Sequence, residues 1–146
     1  MLIIFDLDGT VIDSSARRVV RYDGSLDLDA WRKSTPEGDT LLPLARTMRR
    51  LILAGERVAI CTSRVLAAAD WDFLARHKIL PEIVISRDPQ DERDDVPYKV
   101  ARLGEAFTRA ELADAVFYDD HPGIRSAVAR EYRTMTLDAV RINRAL

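Results

Sequence analysis

The feature that most constrains this chain is a recurring unit, in which a short apolar run of strand length stops at an acid or a hydroxyl and helical spacing follows. Leu2 to Phe5 stops at Asp6, with a turn signal just beyond in Asp8-Gly9. Val58 to Cys61 stops at Thr62-Ser63, Val116-Phe117-Tyr118 at Asp119-Asp120, and Ile83-Val84-Ile85 gives way to a polar loop over Ser86 to Asp95. A fifth run spans Thr134 to Leu137. Between the runs, Leu44, Met48, Leu51 and Ile52 keep three- and four-residue spacing as far as Gly55, which has the place of a C-terminal cap. Ala67 to Arg76, the stretch marked by Val100, Leu103 and Phe107 that Lys99 opens, and Ile124 to Ala129 read as further helices. Strands that alternate with helices through short connections require right-handed crossovers, so the expected fold is α/β, a parallel sheet between two helix layers.

At 146 residues the chain has the length of one domain. Asp13 to Thr40 is the least regular stretch, broken by Gly24, Pro36 and Gly38, and is expected to be a small insertion facing the substrate. With 47% hydrophobic and 32% charged residues the chain reads as an ordinary globular one, and neither a membrane anchor nor a signal peptide is expected. A single cysteine inside an apolar run, Cys61, suits a reducing compartment, and a cytoplasmic location is expected. The net charge of −2 gives no global attraction to nucleic acid. Only Lys33, Lys78 and Lys99 among the 22 basic residues are lysines; the rest are arginines, which grip phosphate and carboxylate in bidentate fashion. No obligate protein partner is evident.

In an open parallel sheet, ligands bind beyond the carboxyl ends of the strands. The strand ends here supply Asp6 and Asp8, then Thr62, Ser63 and Arg64, then Asp119 and Asp120, with Lys99 on the helix before the last pair. Clustered carboxylates repel unless a cation joins them, and hard oxygen ligands suit Mg²⁺ bound together with a phosphate. A lysine and a hydroxyl can hold the remaining phosphate oxygens. Two carboxylates two residues apart can divide labour, one attacking and the other moving a proton.

These residues resemble a family. Asp6-Leu7-Asp8-Gly9-Thr10 after an apolar strand, Thr62 after the second, Lys99, and Asp119-Asp120 after the fourth look like the four motifs of the haloacid dehalogenase superfamily of phosphatases, over residues 1 to about 137. The resemblance implies a Rossmann-like sheet of order 5-4-1-2-3 with a minimal cap, and one phosphatase domain over residues 1–146 with its insertion at about 13–40. It implies Asp6 as nucleophile, forming an aspartyl-phosphate, and Asp8 as acid and then base. Mg²⁺ would be held by Asp6, the Asp8 carbonyl, Asp119 and Asp120, with Thr62 and Lys99 on the transferring phosphoryl group and Thr10 and Ser63 beside the substrate.

Thr62-Ser63-Arg64, the short insertion, and Arg93-Asp94-Asp95-Val96 ahead of Lys99 further resemble the 3′-phosphatase domain of phage polynucleotide kinase-phosphatases. One extra residue before Lys99, and His121 in place of an arginine, depart from that pattern; no G-x-x-x-x-G-K-[ST] kinase loop occurs. This resemblance implies a 3′-phosphorylated polynucleotide end as substrate and a role in nucleic-acid repair; Arg17, Arg18 and Arg21 of the insertion make a local basic patch expected to contact its backbone phosphates. The alternatives are a 5′-nucleotidase or other small-molecule phosphatase whose insertion folds over a mononucleotide, and a poorly catalytic phosphate-binding module. Arg64 is expected either on the substrate or on a structural carboxylate such as Asp94 or Asp95. His121 and His77 read as loop and helix-end residues, and Trp31 and Trp71 as packing.

Overall fold

A computed structural model describes all residues, 1–146. Its frame is five parallel strands, β1 (Leu2–Phe5), β4 (Arg57–Cys61), β5 (Ile83–Ile85), β6 (Val116–Asp119) and β7 (Met135–Asp138), in the spatial order β5-β4-β1-β6-β7. The expected order 5-4-1-2-3 does not carry over as numbered. Two short strands that the sequence did not signal, β2 (Ile12–Asp13) and β3 (Thr40–Leu41), follow β1 in the chain and pair antiparallel outside the sheet. With that pair set aside, the five sheet strands run 5-4-1-2-3 counted from the β7 edge. Either way β1 is central, with Phe5 in register with Ile60 on one side and Tyr118 on the other.

Both faces of the sheet are covered, because alternate side chains of β1 point opposite ways. Ile3 and Phe5 join Leu44, Met48, Ile60, Phe73 and Leu74, packed under α2 (Leu44–Leu53) and α3 (Ala68–Arg76). Leu2 and Ile4 join Leu103, Phe107, Phe117, Ile124 and Val128, packed under α4 (Asp95–Ala106) and α6 (Pro122–Tyr132). The end of α2 follows from Gly55: at φ +76° it lets the backbone turn left-handed, so that its own N–H and that of Glu56 return to the carbonyls of Ile52 and Leu51. No helix is long and apolar enough to cross a membrane.

Three short helices escape periodicity because they have two turns or fewer. These are α1 (Leu28–Arg32), α5 (Arg109–Ala113) and α7 (Ala139–Ala145). Each is announced instead by a capping side chain, Asp27, Thr108 or Asp138, which accepts from a backbone N–H of the first turn. The start of α4 also differs from expectation. It begins at Asp95, so Lys99 lies a turn inside it; Pro97 is tolerated in a first turn, where its missing N–H has no helical partner to lose.

Candidate active site

The site lies beyond the carboxyl ends of β1, β4 and β6. Asp6 continues β1 by one residue, its N–H donating to the Tyr118 carbonyl at 2.9 Å. Its carboxylate is held at both oxygens, Oδ2 accepting from Thr10 Oγ1 at 2.9 Å and Oδ1 from Lys99 Nζ at 2.6 Å. The same ammonium donates to Asp119 Oδ2 at 2.8 Å, and the N–H of His121 donates to Asp119 Oδ1 at 2.8 Å. His121 has a structural task as well: its Nδ1 accepts the N–H of Ile124 and caps α6. Gly9, at φ +80°, completes the floor, because a Cβ there would collide with the Asp120 carboxylate. Glycine is what allows that carboxylate to approach the loop.

Oxygens of Asp6, Asp119 and Asp120 lie within 4.8 Å of one another. Three carboxylates against the single Lys99 ammonium leave about two negative charges, which one divalent cation neutralises. Burial, with Asp119 and Asp120 adding to it against the pull of Lys99, pushes the Asp6 carboxyl well above the ordinary range. Burial raises Asp120 too, and the Asp119 charge adds to it. Burial alone would lower Lys99, but Asp6 and Asp119 outweigh it and raise the ammonium's pKa. An all-oxygen donor set with surplus negative charge fits Mg²⁺.

Thr62 follows β4 and is almost fully enclosed. Its Oγ1 accepts the N–H of Arg64 at 3.1 Å, which leaves its own hydroxyl proton to donate into the site. Ser63 lines the same cavity, and its hydroxyl is the one buried side-chain polar atom without a partner. Arg64 turns to protein carboxylates, though not to Asp94 or Asp95. Its Nε donates to Asp8 Oδ2 at 3.1 Å, its Nη2 to Asp8 Oδ1, and its Nη1 to Asp70 Oδ1 at 2.8 Å. Ser14 Oγ gives Asp8 Oδ1 a further bond at 2.6 Å. Asp95 is taken by Arg87 at 3.0 Å.

The cavity above this floor has a volume of about 640 Å³, within the range of about 300–1,000 Å³ usual for small-molecule sites. Asp6, Asp8, Thr62, Ser63, Arg64, Lys99, Asp119 and Asp120 all line it. The insertion supplies its roof through Arg18, Leu26, Leu28, Trp31 and Arg32. Trp31, expected to be packing, is therefore a wall of the site. Thr10, expected beside the substrate, is wholly buried and spends its hydroxyl on Asp6.

The three insertion arginines do not form one patch. Arg17 points inward and is bound by Asp39 at 2.6 Å and Asp70 at 2.8 Å; Arg18 faces the cavity; Arg21 is exposed and lines nothing. Their proximity in sequence is broken by the one-turn helix at Ser15–Arg17, which turns successive side chains to different sides. Asp39, Asp70 and Ser14 play parts that the sequence did not signal. Only the second of these had any cue, as an acid following three alanines at the start of a helix.

Over residues 1–146 the chain matches the family described as Bacteriophage T5 5′-deoxynucleotidase. It is 32% identical over 167 aligned positions to the 5′-deoxynucleotidase of Escherichia phage T5, an alignment covering 97% of this chain and 68% of that protein. Among solved structures it resembles a chain of the Pnkp1/Rnl/Hen1 RNA repair complex (TM-score 0.71, 22% identity), covering 94% of this chain but 41% of that one, so it spans about two fifths of that chain. It also resembles a haloacid dehalogenase-like hydrolase from Streptococcus pneumoniae (TM-score 0.66, 16% identity), covering 97% of this chain and 90% of the other. Both likenesses show the haloacid dehalogenase fold that the four motifs implied. With that fold and a family match along its whole length, the chain belongs to the phage T5 5′-deoxynucleotidase family of phosphatases.

Proposed function

We propose that this chain removes the phosphate from deoxyribonucleoside 5′-monophosphates, with residues 1–146 acting as one catalytic unit and the 13–40 insertion as its roof. The observation that carries the reading is the match to the 5′-deoxynucleotidase family over the whole chain. The cavity supports it: a polar floor suited to a phosphate lies beneath a roof of Leu26, Leu28 and Trp31 suited to a base. The reading of a 3′-phosphorylated polynucleotide end joined a resemblance around Arg64 and Arg93 to Lys99 with a cluster of Arg17, Arg18 and Arg21, and of that cluster Arg17 is committed to Asp39 and Asp70. We read the location as cytoplasmic, in keeping with the buried free Cys61, whose thiol burial pushes up to about 12.

In this reading an Asp6 carboxylate oxygen attacks phosphorus as the bond to the 5′-oxygen breaks, and Asp8 delivers the proton that the departing alkoxide needs. Water then attacks the aspartyl-phosphate, Asp8 takes its proton, and phosphate leaves with Asp6 restored. Lys99 has one N–H left after binding Asp6 and Asp119, and the Thr62 hydroxyl proton is uncommitted, so both can donate to the phosphoryl oxygens. Asp6, Asp119, Asp120 and the Asp8 carbonyl would hold Mg²⁺, which when bound offsets the charge of nucleophile and phosphate.

The test sets thymidine 5′-monophosphate, thymidine 3′-monophosphate, and 5′- and 3′-phosphorylated oligonucleotides side by side with Mg²⁺. The highest kcat/KM is expected for the 5′-mononucleotide. A higher value for the 3′-phosphorylated oligonucleotide overturns the reading in favour of a polynucleotide end.

A further inference from the structure

The buried charges outside the phosphate floor are not scattered; they form one line from the insertion to Asp8. Asp39 binds Arg17 in a fork, at 2.9 Å to Nε and 2.6 Å to Nη2. The Arg17 Nη2 also donates to Asp70 Oδ1, the same oxygen that receives Arg64 Nη1, each at 2.8 Å. The far side of the Arg64 guanidinium grips both oxygens of Asp8. Side chains of Asp39, Arg17, Asp70 and Arg64 are 0 to 7% exposed. Asp70 is itself fixed, its Oδ2 accepting the N–H of Ala67 at 2.9 Å. The insertion meets this line a second time at Trp31, whose ring centre lies 6.0 Å from the Arg64 guanidinium carbon.

Neither Arg17 nor Asp39 lines the cavity, so their burial serves no direct contact with substrate. Buried ion pairs are poor sources of stability but good at holding one arrangement against others. What this line holds in place is the guanidinium that orients Asp8. We propose that Asp39, Arg17 and Asp70 are positioning residues that, through Arg64, make the placement of the Asp8 carboxylate depend on the seating of the 13–40 insertion. Substrate that seats the insertion thereby also aims the group that moves the proton. When the insertion lifts, Arg64 loses its contact with Trp31 and Asp70 loses Arg17, so the guanidinium that aims Asp8 keeps Asp70 as its one remaining brace.

The proposal rests on the reading of Asp8 as proton donor, and the experiment separates the two. Thymidine 5′-monophosphate has an alkoxide leaving group that needs a proton; p-nitrophenolate leaves without one. Asp8→Asn is expected to lower kcat/KM on the nucleotide far more than on p-nitrophenyl phosphate. Equal losses would overturn the proton-donor reading, and this proposal with it. Given unequal losses, Arg17→Gln and Asp70→Asn should each lower kcat/KM on the nucleotide by about tenfold or more and on p-nitrophenyl phosphate by less than about threefold. Combined with Asp8→Asn, neither should add a further loss on the nucleotide, because both act through the same carboxylate. Arg17→Lys, which keeps the charge but not the fork, should recover part of the rate. If Arg17→Gln does not fold, Asp39→Asn at the far end of the line gives the reading, with the same selectivity and a smaller effect. Losses equal on both substrates, or additive with Asp8→Asn, would show the line to be structural alone and overturn the proposal.

Discussion

The floor and the roof of this site are built on opposite plans. Every acidic or cationic group of the floor stands at or just past a strand end, or on α4 directly behind it, so the sheet places it. The roof has no such support. The segment between β2 and β3 is closed on itself by Arg17 and Asp39, 22 residues apart, and set against the body where Arg17 also reaches Asp70, 53 residues along the chain. The backbone ladder therefore fixes the nucleophile and the phosphate floor around it, while side-chain charge fixes what covers them and, through Arg64, the direction of Asp8. The first arrangement is held by the sheet itself; the second rests on a few contacts that can be broken together.

The sharpest break of this contrast is a loss of chemistry with no loss of structure. Asp6→Asn is expected to lower kcat/KM by more than about 10³-fold while leaving the circular dichroism spectrum intact, since it removes the nucleophile and not the ladder. Excess chelator should match it in rate, because Asp6, Asp119 and Asp120 then repel with no cation between them. Full activity in chelator would remove the metal from the floor. Mg²⁺ should raise the melting temperature of the wild type, by mass action on a folded-state site, and do so less in Asp119→Asn.

The opposite break is a loss of structure at the roof. Asp39→Ala leaves Arg17 buried with half its partners gone, and removing one member of a buried pair costs about 3–5 kcal/mol. Urea unfolding at equilibrium should show a lowered midpoint. An unchanged midpoint would mean that the fold of the insertion does not rest on this ion pair.

The same contrast explains what the sequence could disclose. Asp6, Asp8, Thr62, Asp119 and Asp120 were legible because each follows an apolar run, and topology alone brings strand ends together. Lys99 was legible as a basic residue on the helix before the last acidic pair, although it lies a turn inside α4 rather than opening it. The roof was hidden. Arg17, Arg18 and Arg21 look alike as sequence, and nothing local says that the first of them will meet Asp39 and Asp70. The β2–β3 pair has two residues per strand, too short for an alternating pattern. Asp70 supplies a helix-start bond and two guanidinium bonds at once, a role that no spacing rule encodes.

A smaller effect separates the base from the phosphate. Trp31 is the aromatic residue in the roof, and base stacking on such a side chain contributes about 1–3 kcal/mol. Trp31→Leu keeps an apolar contact but loses the stacking face, so KM for thymidine 5′-monophosphate should rise about tenfold. The change for p-nitrophenyl phosphate should be less, since that ring is smaller than a nucleoside and has no sugar to position it. Equal changes on both would make Trp31 a packing residue rather than a base contact.

The smallest expected effect is the one that most cleanly tests the polynucleotide reading. Arg21 is exposed near the tip of the insertion, where Val20 and Leu26 bridge across a turn at Asp23-Gly24, and it does not line the cavity. A mononucleotide held in the cavity does not extend to it, so Arg21→Ala should leave kcat and KM for thymidine 5′-monophosphate within about twofold at any salt concentration. A polynucleotide would pass over the tip, and a phosphate contact there releases counterions. Loss of that contact would then flatten the dependence of KM on salt by roughly one contact's share. The comparison of wild type and Arg21→Ala across a salt series, on a 3′-phosphorylated oligonucleotide and on the mononucleotide, therefore reads the two substrates separately. Parallel lines for both substrates are what a cavity built for a mononucleotide requires. A flattened line confined to the oligonucleotide would restore a backbone contact at the tip and extend the roof's task from covering the substrate to tracking a chain.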